Sequence, residues 1–240
     1  MRNLAQAFDR GARNYDLLVS LNPGYHRHLD SAASELVQRI GPHPGGLHLL
    51  DLACGSGEST RALLRAAGNG PTIRGVDLSE GMLEQARLKR WPDGVRFQQG
   101  RSGRLDVAEL RPAAWHGVFA SYLFRNVAAD ERAVALAEAY ELLAPGGWLV
   151  TQEYSVAGNR QATAIWDAVS WGVIIPLGVV IDRNPALYRY LWRSVRAFDS
   201  TTTFMERLVG AGFVDVACRS VPGWQHGILH TFVARKAVAS

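Results

Sequence analysis

A chain that runs Leu47-His48-Leu49-Leu50-Asp51-Leu52 straight into Ala53-Cys54-Gly55-Ser56-Gly57 has few options. The short apolar run reads as a buried strand, and Glu58 to Arg65 beyond the glycines has helical composition. Two glycines at a strand-to-helix turn permit positive φ, and they let a ligand reach the backbone where a side chain would block it. Asp51, at the strand's carboxyl end, is placed to accept hydrogen bonds from a cationic or hydroxylated ligand.

The next apolar run strengthens this reading. Thr72-Ile73-Arg74-Gly75-Val76-Asp77 looks like a second strand, and it ends in an acid 20 residues beyond Gly57. A carboxylate at the end of the second strand of a βαβ unit suits two vicinal ribose hydroxyls. The first turn lacks the third glycine of dinucleotide binders, because Thr60 stands in its place. A missing third glycine together with Asp51 suits one nucleoside carrying an amino-acid tail better than a pyrophosphate. The ligand expected is S-adenosylmethionine.

From residue 46 the chain alternates strands and helices. Ser79 is a plausible N-cap, Val95 to Gln99 reads as the third strand and Gly117 to Tyr122 as the fourth. Asp130 to Leu143 reads as a helix, and Pro145-Gly146-Gly147 turns into a fifth strand, Trp148 to Glu153. This rhythm predicts an α/β fold, a doubly wound Rossmann-like sheet of seven strands. The expected organisation is an N-terminal helical cap over 1–45, a nucleotide-binding core over 46–154, a helical substrate lid over 155–200, and a closing helix with two strands over 201–240. In the cap, amphipathic helices are expected over 3–18 and from Tyr25 to Ile40.

Composition narrows the partners. The 240 residues carry a net charge of +4, but the excess is spread thinly and forms no basic tract, which argues against nucleic acid. Cys54 and Cys218 are isolated, so a disulfide framework is not expected and a reducing cytoplasm fits. No secretory signal is expected at Met1. The longest apolar stretch, Val169 to Ile181, is interrupted by Gly172, Pro176 and Gly178 and reads as too short to span a bilayer.

The motifs together resemble class I S-adenosylmethionine-dependent methyltransferases, and more narrowly the C-methyltransferases of ubiquinone and menaquinone biosynthesis. The resemblance runs nearly the whole length. It includes Asn14-Tyr15-Asp16, Gly24-Tyr25-His26-Arg27, the loop Asp51 to Gly57, Val76-Asp77-Leu78-Ser79-Glu80-Gly81-Met82, and Ser121-Tyr122-Leu123-Phe124-Arg125-Asn126-Val127. It continues through Leu143 to Gly147 with Glu153, Tyr188 to Arg196, and His230. It implies a cofactor site drawn from Tyr15, Asp51, Gly55, Ser56, Gly57, Asp77, Leu78, Met82, Arg101, Ser102 and Ser121, with no metal. Tyr15 resembles the family's cap tyrosine that closes over the methionine end of the cofactor. The sequence departs from the family after the third strand, where Arg101-Ser102 replaces an acidic or amide residue followed by a small one. Arginine cannot accept from an adenine amino group, so Ser102 or the backbone is expected to make that contact and Arg101 to point away.

Methylating a ring carbon needs a neighbouring hydroxyl to ionise, so a base or a stabilising cation is expected beside the acceptor. Arg125 and Asn126, just past the fourth strand, lie at the sheet edge where ligands sit in open α/β folds. Arg125 is the expected cation, Asn126 the residue that holds the ring or the cofactor's methionine end, and His26, or His28 beside it, the candidate base. His230 reads as a core residue. The Trp-rich lid is expected to supply an apolar pocket for a quinol-like or phenolic acceptor of the demethylmenaquinol type. Its Arg189, Arg193 and Arg196 face either solvent or an anionic membrane surface. The competing expectations are an O- or C-methyltransferase of secondary metabolism and a protein that binds the cofactor without transferring methyl. Peripheral membrane contact and a homodimer stay open.

Overall fold

The computed structural model describes residues 24–68, 70–182 and 185–238. The expected helix over 3–18, and Tyr15 with it, lie outside the described residues. The core is built from α1 (Tyr25–Ile40), β1 (His48–Leu52), α2 (Glu58–Ala67), β2 (Thr72–Asp77), α3 (Glu80–Arg87) and β3 (Val95–Gln99). A one-turn α4 (Val107–Leu110) precedes β4 (Trp115–Ser121), and a 3₁₀ turn over Phe124–Asn126 leads to α5 (Arg132–Leu142) and β5 (Leu143–Tyr154). The predicted turn at Pro145 to Gly147 falls inside β5, which begins earlier than expected. The β4 residues Trp115 and Gly117 pair with Leu143 and Trp148, so the extra β5 residues bulge out of the ladder.

After β5 come α6 (Arg160–Val169), a π turn (Ser170–Ile174), α7 (Ile175–Asp182) and α8 (Pro185–Arg196). The chain closes with α9 (Thr201–Gly210), β6 (Phe213–Ser220) and β7 (Leu229–Lys236). The seven strands lie in the order β3-β2-β1-β4-β5-β7-β6, with β7 antiparallel to both neighbours. The order reverses between β1 and β4, and the carboxyl ends of those two strands flank the crevice where such sheets bind ligands.

Each face of the sheet is covered by its own apolar layer. On one, Leu29, Ala33 and Leu36 of α1 pack with Leu63 of α2 over Leu49, Ile73, Phe119 and Val150. On the other, Leu136 and Leu142 of α5 and Phe204 and Leu208 of α9 cover Leu50, Val118, Leu149 and Phe232. Alternate residues of β5 therefore serve opposite layers, which aims Tyr154 at one face and Glu153 at the other.

One expectation is corrected here. The apolar stretch ending at Ile181 does not stand alone as a 13-residue piece. It continues α6 without a break, giving 22 helical residues from Arg160 to Ile181, long and apolar enough to cross a membrane by length and composition. Gly172, Pro176 and Gly178 do not break the helix, for identifiable reasons. The π turn over Ser170–Ile174 loosens the hydrogen-bond ladder just ahead of Pro176, which has no N–H to contribute to it. At Gly178 a Cβ would stand 2.1 Å from Cδ2 of Tyr188, so glycine is what lets α8 pack against α7.

Candidate active site

The β1–α2 turn adopts the geometry its glycines permit. Gly55 has φ 53° and Gly57 φ 94°, and Gly57 caps α2 in the left-handed conformation. Asp77, at the end of β2, holds this turn in place. Its Oδ2 accepts from Gly55 N at 2.8 Å and its Oδ1 from Ser79 N at 2.8 Å. Ser79 caps α3 as expected, accepting from Met82 N at 3.1 Å. Met82 Cε lies beside Gly55, where a Cβ would come within 3.1 Å of it. Ser56 is buried in the same turn. The carbonyl of Leu78 accepts from Gln99 Nε2 at 3.0 Å.

Asp51 is fully buried at the end of β1. Its Oδ2 accepts from Ser59 Oγ at 2.7 Å and from Thr60 Oγ1 at 2.6 Å. Thr60, in the place of a dinucleotide binder's third glycine, therefore supports the acid. Asp51 Oδ1 has no partner among the described residues. Burial pushes this carboxyl up to about pH 7, against the opposing pull of the two hydroxyls. A buried carboxylate oxygen left unmatched beside a glycine cradle fits a ligand that brings a cationic or N–H group, as the amino-acid end of S-adenosylmethionine does.

Arg101 points away from this turn, bonded through Nη2 to both oxygens of Glu131 at 2.8 and 2.6 Å. Ser102, next to it, is half-buried. Across the crevice, Ser121 ends β4 with a buried Oγ that has no partner among the described residues. Tyr122 follows at φ 60°, a left-handed conformation that is rare for a tyrosine. The neighbouring side chains hold it there. Both Arg125 Nη1 (2.6 Å) and Asn126 Nδ2 (2.8 Å) donate to its carbonyl oxygen.

Arg125 is neither a free surface arginine nor a fully exposed electrophile. Its side chain is 9% exposed, its Nε is unpartnered among the described residues, and Nη1 stands 3.7 Å from Glu153 Oε2. Glu153 is fully buried and accepts from Phe124 N at 2.6 Å. Burial pushes its carboxyl up to about pH 7, with Arg125 pulling the other way. Asn126 Oδ1 accepts from Tyr190 Oη of α8 at 3.2 Å, which ties the inserted helices to the β4 turn. Burial also raises the Tyr190 phenol, so it stays neutral and donates.

His26 faces the start of α2. It is half-exposed on α1, with Nδ1 3.6 Å from Glu58 Oε2 at the start of α2. Its neighbour Tyr25 is the residue that turns toward the β4 end, stacking on Tyr122 with centroids 5.8 Å apart. Tyr122 in turn stacks on Tyr154 (5.3 Å), and Tyr154 packs against Trp166 of α6 (5.2 Å). His230 is buried with Nε2 3.2 Å from the Ser155 carbonyl, a core residue as expected.

Sequence reasoning missed Glu153 and Tyr190 as site residues, together with the Ser59–Thr60 support of Asp51. Two hydroxyl residues directly after Gly57 were the available signal for that support, because a buried acid at a strand end requires donors.

Residues 2–236 match the model of the ubiE/COQ5 methyltransferase family. The chain belongs to that family. A curated relative from Methylobacterium nodulans, named ubiquinone/menaquinone biosynthesis C-methyltransferase UbiE, is 33% identical over 91% of this chain and 85% of its own length. A Legionella pneumophila protein of the same name is 28% identical over 98% of this chain and 91% of its own length. Among solved structures, an O-methyltransferase family protein from Burkholderia thailandensis superposes with TM-score 0.64 at 18% identity, covering 96% of this chain and 60% of that one. Phosphoethanolamine N-methyltransferase 2 from Haemonchus contortus, in complex with S-adenosylmethionine, superposes with TM-score 0.61 at 16% identity. This chain covers 52% of its length, and 86% of this chain is matched. This member of the ubiE/COQ5 methyltransferase family is an S-adenosylmethionine-dependent methyltransferase with the Rossmann-like fold of its class.

Proposed function

We propose that this enzyme methylates a ring carbon of a reduced quinol or a related phenolic small molecule of the demethylmenaquinol type. The observation that carries the reading is a buried guanidinium, Arg125, held beside Asn126 at the carboxyl end of β4. The names of the curated relatives point the same way. In this reading Gly55, Ser56 and Gly57 carry the cofactor's amino-acid end with Asp51, and Asp77 takes its ribose. Leu78, Met82 and Ser102 line the adenine, and Ser121 stands beside the reacting end. S-adenosylmethionine supplies an electrophilic methyl group on a sulfonium.

The remaining chemistry belongs to the chain. A carbon next to a hydroxyl becomes nucleophilic when that hydroxyl gives its proton to solvent water before the site closes, and after the methyl arrives the ring C–H proton restores the hydroxyl. Arg125 cannot give up its proton, so it acts by stabilising the phenolate. Below about pH 7 Glu153 is protonated and leaves the guanidinium's charge uncompensated, which favours an anion beside it. Asn126 orients the acceptor oxygen, and the helices over 160–196 close over the ring as a lid and exclude water. His26, turned toward Glu58, is not assigned the role of base. The partner is a small aromatic molecule rather than nucleic acid, and the enzyme works in the cytoplasm in peripheral contact with a membrane.

The test is turnover of the purified enzyme on a demethylated naphthoquinol kept reduced, against the same compound oxidised. We expect S-adenosylhomocysteine and a C-methylated product, located by NMR, from the quinol alone. Methylation on oxygen, or equal turnover of the oxidised ring, overturns the reading.

A further inference from the structure

The inserted helices present a face that the fold does not cover. Trp171, Val173, Leu177, Val179 and Val180 are 50%, 51%, 40%, 45% and 77% exposed. Within the 22-residue helix, only 22% of its most apolar 18-residue window is buried inside the protein. No charged residue occurs from Ala168 to Ile181. The antiparallel neighbour α8 has only arginine among its charged residues, and Arg189 and Arg193 are exposed and unpaired among the described residues. Arg196 bonds to Asp167 at 2.5 Å, which pairs the acid just before the apolar run, and Asp182 follows the run.

We infer that this apolar ridge with its arginine border seats the enzyme on the surface of an anionic lipid bilayer. An uncharged apolar run from Ala168 to Ile181 beside the exposed Arg189 and Arg193 matches acyl chains below and phosphate headgroups above. Trp171 has the amphipathic ring that favours the water–lipid boundary. The helix lies on the bilayer and does not cross it. Trp166, Ser170 and Ile175 on its other side are buried in the protein, and Gly178 is locked against Tyr188. A crossing helix would have to pull all of these out. A second copy of the same face brings its own Arg189 and Arg193 to this border, whereas a phosphate-bearing surface offers anions along all of it.

The orientation follows from the Tyr190–Asn126 hydrogen bond, which fixes α8 against the β4 turn and so directs the ridge to the acceptor side of the sheet. That orientation rests on the reading of Arg125 and Asn126 as the acceptor site, but the binding itself does not. It is tested without turnover, by co-sedimentation of the full chain with vesicles of phosphatidylcholine alone or with roughly 30% phosphatidylglycerol. The wild type is expected to bind the anionic vesicles at least about tenfold more tightly, and to be released by about 0.5 M salt. V180D, and separately R189E/R193E, should each lose about tenfold or more of vesicle binding, while binding S-adenosylmethionine as the wild type does. Equal binding to neutral and anionic vesicles, or variants that bind like the wild type, overturns the inference. So does a wild-type dimer in light scattering that V180D makes monomeric without any vesicle binding, because the ridge is then a subunit interface.

Discussion

Nη1 of Arg125 stands 3.7 Å from Oε2 of Glu153, a carboxyl with no exposed surface. Burial raises the folded-state value of Glu153 to about 7 from an ordinary 4.5, so between those values the folded chain binds the extra proton. Its contribution to stability is fully present below about pH 4.5 and is lost as the pH rises through 7. Glu153→Gln keeps an acceptor for Phe124 N and removes the ionisation. Relative to the wild type, the variant should gain roughly 2 kcal/mol of unfolding free energy between pH 5.5 and 8, read by urea denaturation at the two values. A gap that does not change with pH would mean that Glu153 is ionised throughout.

Asp51 carries the same linkage over to the cofactor. Its carboxyl titrates near pH 7 because it is buried, and a cationic ligand group meeting Oδ1 requires it ionised. S-adenosylmethionine affinity should therefore fall as the pH drops below 7, approaching tenfold per unit. Asp51→Asn should bind more weakly and show a flat profile. Calorimetry from pH 5.5 to 8 checks both.

Asp77 does two things at once, and its removal should show it. Asp77→Ala takes away the proposed ribose acceptor and also the bonds to Gly55 N and Ser79 N that hold the turn. The loss of cofactor affinity should reach about 2–3 kcal/mol in a folded protein. Unchanged affinity by calorimetry removes Asp77 from the site.

Arg101 should matter little to the cofactor. Its guanidinium is bonded to Glu131, away from the glycine turn. Arg101→Ala is expected to leave S-adenosylmethionine affinity within about a factor of three. A large loss would mean that the arginine swings onto the adenine when the ligand binds.

Much of this could be read from residue order, because it depends on local rules. Gly55 and Gly57 at a strand end and Ser79 before a helix act through the backbone within a few residues, and Asp77 is readable from its fixed spacing across one βαβ unit. The pairing of Arg125 with Glu153 could not be read that way. It spans two strands, and Glu153 enters the sequence reading only as a residue of the family motif, with no sign of what it meets across the sheet. Burial on the α5–α9 side is what makes it titrate near neutrality. The long helix from Arg160 to Ile181 is hidden for the opposite reason, since Gly172, Pro176 and Gly178 follow the local rule for breakers. A π turn and the packing of Tyr188 onto Gly178 override that rule. Arg101 bonds Glu131 and points away from the glycine turn, in keeping with a guanidinium that has no acceptor to offer an adenine amino group.

The central claim is that Arg125 stabilises charge on the acceptor and does not merely hold the β4 turn. Its most direct test pairs turnover with cofactor binding in Arg125→Ala, supplied with a reduced naphthoquinol. Near pH 6, where Glu153 is protonated, the substitution leaves no buried anion behind. There kcat should fall by roughly 10²–10³, the scale of losing one charge-stabilising donor, while the S-adenosylmethionine dissociation constant stays within about twofold. Equal losses in binding and turnover, or turnover near that of the wild type, would contradict the account and leave Arg125 a structural residue of the turn.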